Sequence, residues 1–182
     1  MTPDIVFTLT VRVAGESQEF VLGTQQIEAV VGSASDTPEF AGLFSAAAQH
    51  PANSVRSIVA SQDQLPGDAA LELARDPSSN VRVRVAGSAV FRRFASEEAI
   101  LKLIESDPEA AEAIAGYVER FENAEINTLC EALARHPDPT VRRALAWNSA
   151  TPIKWVRKLR QDPTQDVAAG ARSMMARRSH QG

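Results

Sequence analysis

The sequence predicts a mainly α protein, a short α-solenoid of about five helix pairs preceded by an N-terminal β-hairpin. Three observations support this prediction: a Pro-containing motif that recurs about once per helical hairpin, apolar residues at helical spacing on both sides of the motif, and an alternating β-branched segment before the first copy. Of the 182 residues, 44% are apolar and 23% are charged, and Pro and Gly are near average use. Disordered and collagen-like classes are therefore excluded.

Two β-branched segments, residues 5–13 and 18–22, flank a Gly-containing stretch at residues 14–17 and predict a β-hairpin. Two strands alone are marginally stable, so the hairpin needs support from its neighbours. We expect residues 1–35, which include a short helix starting at Thr24, to cap the open end of the array. The alternative is that an edge strand of the hairpin pairs with another chain.

One alternate face of the first strand carries Phe7, Leu9, Val11 and Val13. Successive side chains of a strand point to opposite faces, so these four lie together. We expect this face to pack against the first helices. Residues 32–36 are expected to form the joint to the repeats.

The repeats are predicted over residues 36–178. Their prolines, at positions 51, 77, 108, 137 and 163, are 26 to 31 residues apart, which matches one helical hairpin per period. Three copies end in Val-Arg and two are degenerate. The copies begin at His50, Asp76, Asp107, His136 and Asp162.

A helix is expected to begin at each motif proline, because Pro at the first helical position loses only an amide hydrogen that has no partner there. The fourth and eighth residues after the proline are apolar in four copies, Val55/Val59, Val81/Val85, Val141/Leu145 and Val167/Ala171. In the third copy these positions are Glu112 and Gly116, so we expect that helix to be shifted or distorted.

A second buried column is predicted before each proline. The residues four, seven and eight positions upstream are apolar in all copies and define one face of a preceding helix. They are Ala47, Leu73, Ile104, Leu133 and Leu159, then Phe44, Ala70, Leu101, Cys130 and Val156, then Leu43, Ala69, Ile100, Leu129 and Trp155. Cys130 and Trp155 are therefore interpreted as core residues, and a reactive thiol is the alternative for Cys130.

Residues 133–153 (LARHPDPTVRRALAWNSATPI) resemble HEAT-like repeats, particularly the short leucine-rich-repeat-variant kind, and the similarity extends over about residues 36–178. The resemblance implies a curved, right-handed solenoid of stacked antiparallel helices that offers surfaces to proteins, to peptides or, in one glycosylase group, to DNA. Some leucine-rich-repeat-variant proteins hold a cysteine-ligated iron–sulfur module. With Cys130 as its single cysteine this chain cannot hold one, and we expect no cofactor.

Charge is distributed unevenly along the chain, whose net charge is −4. Residues 1–131 contain 9 basic and 20 acidic residues, whereas residues 132–182 contain 10 basic and 3 acidic ones. This division either reflects solvated helix faces or indicates a partner with an acidic surface at the C-terminal end. The acidic majority argues against general nucleic-acid binding.

Nothing in the sequence predicts export or membrane insertion. Residues 1–4 lack a basic segment followed by an apolar stretch, the single cysteine excludes a disulfide framework, and no apolar run has the length of a membrane span. We therefore expect a cytoplasmic, bacterial protein. Residues 179–182, which include His180, are expected to be a disordered tail.

Candidate catalytic and metal-binding residues are few. His50 and His136 occupy the position where other copies have Asp, so we interpret them as capping residues, with catalysis as the alternative. No His, Cys and carboxylate residues recur at metal-ligand spacing, and no metal is predicted. Arg56, Arg82 and Arg142 recur with the repeat, and we expect them to pair with the Asp or carbonyl groups of the preceding turn and form a ladder, with ligand binding as the alternative.

Arg143 and Trp147 are the candidate partner-binding residues, together with Arg157 and Arg172 of the basic end. Arg143 and Trp147 are four residues apart and share a helix face away from the apolar column. An exposed Trp beside Arg is typical of interface hot spots, although large residues can also cover a junction between repeats.

The sequence thus predicts a non-enzymatic module that binds another protein, a scaffold, adaptor or neutralising regulator that uses the concave face of the solenoid. The alternative is a nucleic-acid-binding or DNA-processing HEAT-like protein that uses the basic C-terminal end. The oligomeric state and the identity of the partner do not follow from the sequence.

Overall fold

The computed structural model describes residues 5–34 and 37–179. This part of the chain is mainly helical, with twelve α-helices and one two-stranded antiparallel sheet at the N-terminus. The expectations for the first four residues, for residues 35–36 of the joint and for residues 180–182 of the tail, including His180, lie outside the described residues. Ser179 is the last residue of the final helix.

The elements follow one another with short connections. They are β1 (Thr8–Val13), β2 (Glu16–Val21), α1 (Thr24–Ser33), α2 (Ala41–Ala47), α3 (Asn53–Val59), α4 (Gly67–Leu73), α5 (Ser79–Ala86), α6 (Ala89–Phe94), α7 (Glu97–Ser106), α8 (Pro108–Gly116), α9 (Ile126–Ala134), α10 (Pro139–Trp147), α11 (Ile153–Leu159) and α12 (Gln165–Ser179). Two 3₁₀ turns, Pro38–Phe40 and Val118–Arg120, precede α2 and follow α8.

The predicted hairpin is present. β1 and β2 pair antiparallel with Val13 opposite Glu16, which leaves a two-residue turn at Ala14 and Gly15. Both turn residues have positive φ, 50° and 88°, as a type I′ turn requires. This turn matches the right-handed twist of the strands and sets their register.

The hairpin does not lie on the helices as expected. Leu9, Val11 and Val13 are 51%, 40% and 68% exposed, so the prediction that this face is buried is wrong for these three residues. Only at the open end of the hairpin do Phe7 and Leu22 pack against the helical core. The reason is that α1 covers the first helix pair itself: it contacts α3 and buries Ile27 and Val31.

The helices form five consecutive pairs, α2 with α3, α4 with α5, α7 with α8, α9 with α10 and α11 with α12. The second helices of successive pairs contact one another in chain order, and α7, α9 and α11 also contact one another in order. The apolar residues of the predicted columns are buried between them, except Leu43 and Leu101, which are only partly buried. Val55, Val81, Val141 and Val167 have no exposed surface. Cys130 and Trp155 are core residues, as predicted.

Helix starts differ from the prediction in four of the five copies. α3, α5, α10 and α12 begin two residues after the motif proline. The intervening turn is closed by the first motif residue: the backbone N–H of Ala52 donates to His50 Nδ1 (3.1 Å), and that of Ser78 donates to Asp76 Oδ1 (2.9 Å). The histidine side chain here replaces the usual Asp acceptor.

The third copy is shifted, as expected. Asp107 caps α8 directly by accepting from the N–H groups of Glu109 and Ala110, so Pro108 is the first residue of this helix. With a turn that is two residues shorter, Ala110 and Ile114 take the buried positions.

An arginine ladder connects successive copies of the motif. Arg56 donates to both carboxylate oxygens of Asp76 in the next copy (2.6 and 2.9 Å) and to the carbonyl groups of His50 and Pro51 in its own turn (2.8 Å each). Arg142 binds both carboxylate oxygens of Asp162 in the same way, whereas Arg82 contacts only Oδ2 of Asp107, and both arginines also donate to two carbonyl groups of their own turn. The ladder was predicted from the sequence, but its Asp partner comes from the following copy.

In the copy that begins with His136, histidine replaces the motif aspartate, and the preceding copy has no arginine at the ladder position. Ala111 of α8 stands fourth in its helix, the place that Arg82 and Arg142 hold in α5 and α10, and the next copy begins with His136. His136 is buried and accepts from the N–H of Asp138 through Nδ1 (3.1 Å). A buried carboxylate without a cation is costly, whereas a neutral imidazole can accept the same hydrogen bond.

The ladder predicts a loss of stability in acid. Burial alone raises the pKa of Asp162, but hydrogen bonds from Arg142 and from the Thr164 N–H outweigh it, and the pKa lies below its ordinary value. Burial also raises the pKa of Asp107, but hydrogen bonds from Ser79, the Ala110 N–H and Arg82 outweigh it, so this pKa is lowered as well. A lowered folded-state pKa stabilises the protein above the unfolded-state pKa, and this stabilisation disappears as the pH falls through the folded-state value.

We therefore expect the urea midpoint to fall below about pH 4, the range set by the ordinary pKa of Asp. Circular dichroism between neutral pH and pH 3 measures this dependence. In Asp162→Asn the fall should be shallower, because one of the titrating groups is removed. Equal acid dependence in the two proteins would contradict a contribution from Asp162.

Candidate functional site

Trp147, at the C-terminal end of α10, is an exposed aromatic residue whose ring packs against a neighbouring helix. Its side chain is 45% exposed, and its ring lies against Gly170 of α12, where an added Cβ would come within 2.7 Å of Trp147 Nε1. Arg177, two turns further along α12, has its guanidinium carbon 5.4 Å from the ring centre. The absence of a side chain at Gly170 thus allows the indole to lie close to the α12 backbone.

A second exposed aromatic residue, Tyr117, follows α8 and is 38% exposed. The guanidinium carbons of Arg92 and Arg120 lie 4.6 and 5.6 Å from the centre of its ring. Arg92 is held in place by a hydrogen bond to the carbonyl of Gly87 at the end of α5. Two cations therefore accompany a tyrosine whose ring is still open to solvent.

Asn148 links the two aromatic residues. Its Nδ2 donates to the carbonyl of Ala115 (2.8 Å) and to Glu119 (3.2 Å), which lie on either side of Tyr117 in the chain. The helix ends that carry Tyr117 and Trp147 are therefore joined. We call the set Tyr117, Trp147, Arg92, Arg120 and Arg177 the aromatic–arginine surface.

Of the four residues selected from the sequence, Trp147 belongs to this surface, and Arg143 lies on the same helix, α10. It is exposed, one helical turn before Trp147, and it borders a cleft of about 80 Å³ with Thr140 and Asp166. Arg172 is exposed on α12, and Arg157 is exposed on α11, in the other row of helices. In the described part of the chain no hydrogen bond, ion pair or ring contact joins either of these two to Trp147.

Sequence reasoning missed Tyr117, Arg92, Arg120 and Arg177 as site residues. Arg92 is 25 positions before Tyr117, and Arg177 is 30 positions after Trp147. The sequence of a single repeat therefore cannot predict the contact of Arg92 with Tyr117 or that of Arg177 with Trp147. The available signal was that Tyr117 and Trp147 follow the ends of consecutive second helices.

Reactive groups are scarce among the described residues. Burial raises the pKa of the Cys130 thiol to about 12, so this side chain is protonated at neutral pH and is a poor nucleophile. Nδ1 of His50 and Nδ1 of His136 each accept a backbone hydrogen bond. Within residues 5–34 and 37–179, no three His, Cys, Asp or Glu side chains are grouped so that they could hold a metal ion.

A groove of about 680 Å³ between α4 and α7 has a mixed lining, which includes Leu71, Leu103, Arg75 and Lys102. Lys102 pairs with Glu98 at 2.8 Å, and the lining contains both cations and acids. This groove therefore presents no uniform charge to a ligand.

No family model matches the chain, and neither a curated protein nor a solved structure matches it. Among the helices that the structure describes, none is both long enough and apolar enough to cross a membrane.

Proposed function

We propose that the chain is a non-enzymatic, cytoplasmic module that binds another protein through the aromatic–arginine surface. The observation that supports this function is the pair of exposed aromatic rings, each stacked with arginine, at two joined helix ends. Trp, Tyr and Arg are the residue types that contribute most to binding energy at protein interfaces. The Trp147 ring already packs against Gly170, and the Tyr117 ring is already stacked with Arg92 and Arg120. Little side-chain conformational freedom is therefore lost when a partner binds.

The partner has an acidic surface in this proposal. Arg120 and Arg177 stack on the two rings, Arg143 lies one turn away, and residues 132–182 contain 10 basic against 3 acidic residues. Carboxylates bind to guanidinium groups through paired hydrogen bonds, and opposite charges raise the association rate. We include Arg157 and Arg172 as peripheral cations of the same basic end.

The architecture that we propose is a HEAT-like, leucine-rich-repeat-variant solenoid. The recurring motif, the row of contacts between successive second helices and the arginine ladder between successive copies support it. In such an array each repeat adds a helix end to one continuous surface. A scaffold, adaptor or neutralising role uses a surface of this kind.

Nucleic acid is the second candidate partner, because aromatic rings and arginines also stack on unpaired bases. The 20 acidic residues among residues 1–131 oppose phosphate binding. A labelled single strand and a labelled duplex, each titrated at low and physiological salt, distinguish the two candidates. We expect no salt-sensitive binding, and binding that is lost in Trp147→Ala would replace the protein partner by nucleic acid.

Capture from a native cell extract tests the protein-binding function. The partner recovered with the wild-type chain should bind Trp147→Ala/Arg143→Glu at least about 30-fold more weakly, which corresponds to one hot spot of about 2 kcal/mol. Quantitative mass spectrometry identifies the partner, and titration calorimetry with the purified partner measures the affinity.

Arg93→Glu/Phe94→Ala is the matched control, because Phe94 is also a half-exposed aromatic ring with a stacked arginine but packs against Gly67 of α4. The control should keep wild-type affinity. Arg157→Glu shows whether the surface extends to α11. Equal affinity for the wild type and for Trp147→Ala/Arg143→Glu, with unchanged helicity, would refute this site.

A further inference from the structure

The N-terminal hairpin is held to the helical core only at its open end, through Phe7 and Leu22. All twelve residues of β1 and β2 are exposed, and one face of the sheet carries Leu9, Val11, Val13 and Phe20. Two-stranded sheets that pack on nothing are marginally stable in water, and three or more strands are the usual solution. A further strand along one edge would stabilise this hairpin.

Within residues 5–34 and 37–179 no strand other than β2 pairs with β1, so its other edge can accept a further strand. The N–H of Leu22 donates to the carbonyl of Phe7 (2.8 Å), so hydrogen-bonded pairs alternate from there and include Leu9, Val11 and Val13. The N–H and C=O groups of the intervening residues point away from β2. On β1 these are Thr8, Thr10 and Arg12, and on β2 they are Ser17, Glu19 and Val21.

Charge distinguishes the two edges. β1 has no acidic residue, whereas Glu19 is the middle outward-facing residue of β2. If β2 paired with itself about a twofold axis centred on this position, two Glu19 carboxylates would lie directly opposite each other, which is unfavourable. If β1 paired with itself, Thr10 would face Thr10, and each Arg12 would face the Thr8 of the other copy.

The apolar residues agree with the same register. An antiparallel pair of β1 strands centred on Thr10 places Leu9 opposite Val11 of the second copy, twice, as non-hydrogen-bonded pairs whose side chains are close. In this register the outward-facing N–H and C=O groups of one β1 strand lie opposite those of the other along the whole strand. A strand of this kind is complementary to itself, and a twofold pairing closes without leaving an open repeat.

From these observations we infer that β1 is a dimerisation strand, which pairs antiparallel with β1 of a second copy of this chain to form a four-stranded sheet. The inference does not depend on the aromatic–arginine surface or on its partner. In the dimer each chain contributes one such surface, so a partner with two acidic sites would bind both copies with increased avidity.

Light scattering on the purified full chain tests the inference. At micromolar concentrations we expect a mass of twice the 19.6 kDa of one chain. Thr10→Pro should be monomeric, because proline removes an outward N–H that β2 does not use and blocks the added strand. Glu19→Pro is the matched control, since Glu19 lies opposite Thr10 and also points outward, and it should remain dimeric.

Cross-linking tests the register without a proline. Thr10→Cys should form a disulfide-linked dimer under mild oxidation, because directly opposed residues of a hydrogen-bonded antiparallel pair are about 5.5 Å apart between Cα atoms. Glu19→Cys should not, and the native Cys130 is buried. A monomeric wild type, a dimer that survives in Thr10→Pro, loss of the dimer in both proline variants, or equal cross-linking at both positions would each overturn the inference.

Discussion

Asp76→Ala is expected to lower the free energy of unfolding by about 3 kcal/mol, because it leaves a largely buried arginine without its carboxylate. Asp76 accepts two hydrogen bonds from Arg56 and one from the Ser78 N–H, and its side chain is only 4% exposed. Arg56 keeps its bonds to two carbonyl groups, which places the loss at the low end of the range for broken buried pairs.

Urea denaturation followed by two probes measures this loss. Circular dichroism reports all helices, whereas tryptophan fluorescence reports α10 and α11, which contain Trp147 and Trp155. If the ladder couples the repeats, both transitions should move together. Asp76→Asn, which keeps an oxygen for the Ser78 N–H but loses the charge, should lose less stability than the alanine variant.

Glu98→Ala is the control for Asp76→Ala. Glu98 pairs with Lys102 at 2.8 Å, but both side chains are mostly exposed, and such pairs contribute little. Its denaturation midpoint should therefore stay at the wild-type value. A shift in Asp76→Ala no larger than that of Glu98→Ala would contradict the structural role of the ladder.

Phe91→Ala should destabilise the protein by about 3–5 kcal/mol, the usual range for truncating a buried phenylalanine. Phe91 has no exposed surface and packs edge-on against Phe121, with 6.3 Å between ring centres. It lies in α6, a helix that the sequence pattern did not predict and that contacts α4 and α5. The truncation would leave a cavity where this extra helix joins the repeats.

Phe94→Ala, in the same helix, is the control for the Phe91 variant. Its ring is half exposed, so we expect a loss of about 1 kcal/mol, typical of partly exposed sites. Chemical denaturation of the two variants gives the difference directly. Similar losses for Phe91→Ala and Phe94→Ala would show that α6 is not packed as the structure describes.

The repeat and its buried columns could be predicted from the sequence because both are local patterns. Val55, Val81, Val141 and Val167 follow their prolines at one fixed interval, and helical geometry then places them on one face. The hairpin was predictable for the same reason, since alternation and a Gly-containing turn act within a few residues.

The sequence pattern did not predict the exact helix starts or the presence of α6. The motif proline was expected at the first helical position, but the turn closed by His50 or Asp76 moves the start two residues along the chain. α6 has only six residues, and six residues contain too few turns to establish a helical period. Ser88, which caps it by accepting from the Phe91 N–H, was the available local signal.

The exposed surfaces depended on packing between repeats. Periodicity was sufficient to place Trp147 on a helix face away from the apolar column, but not to place Arg177 on its ring or Arg92 on Tyr117. It also could not show that Leu9, Val11 and Val13 stay exposed to solvent. Local patterns determine which face of an element is apolar, whereas the stacking of distant segments determines which faces are finally covered.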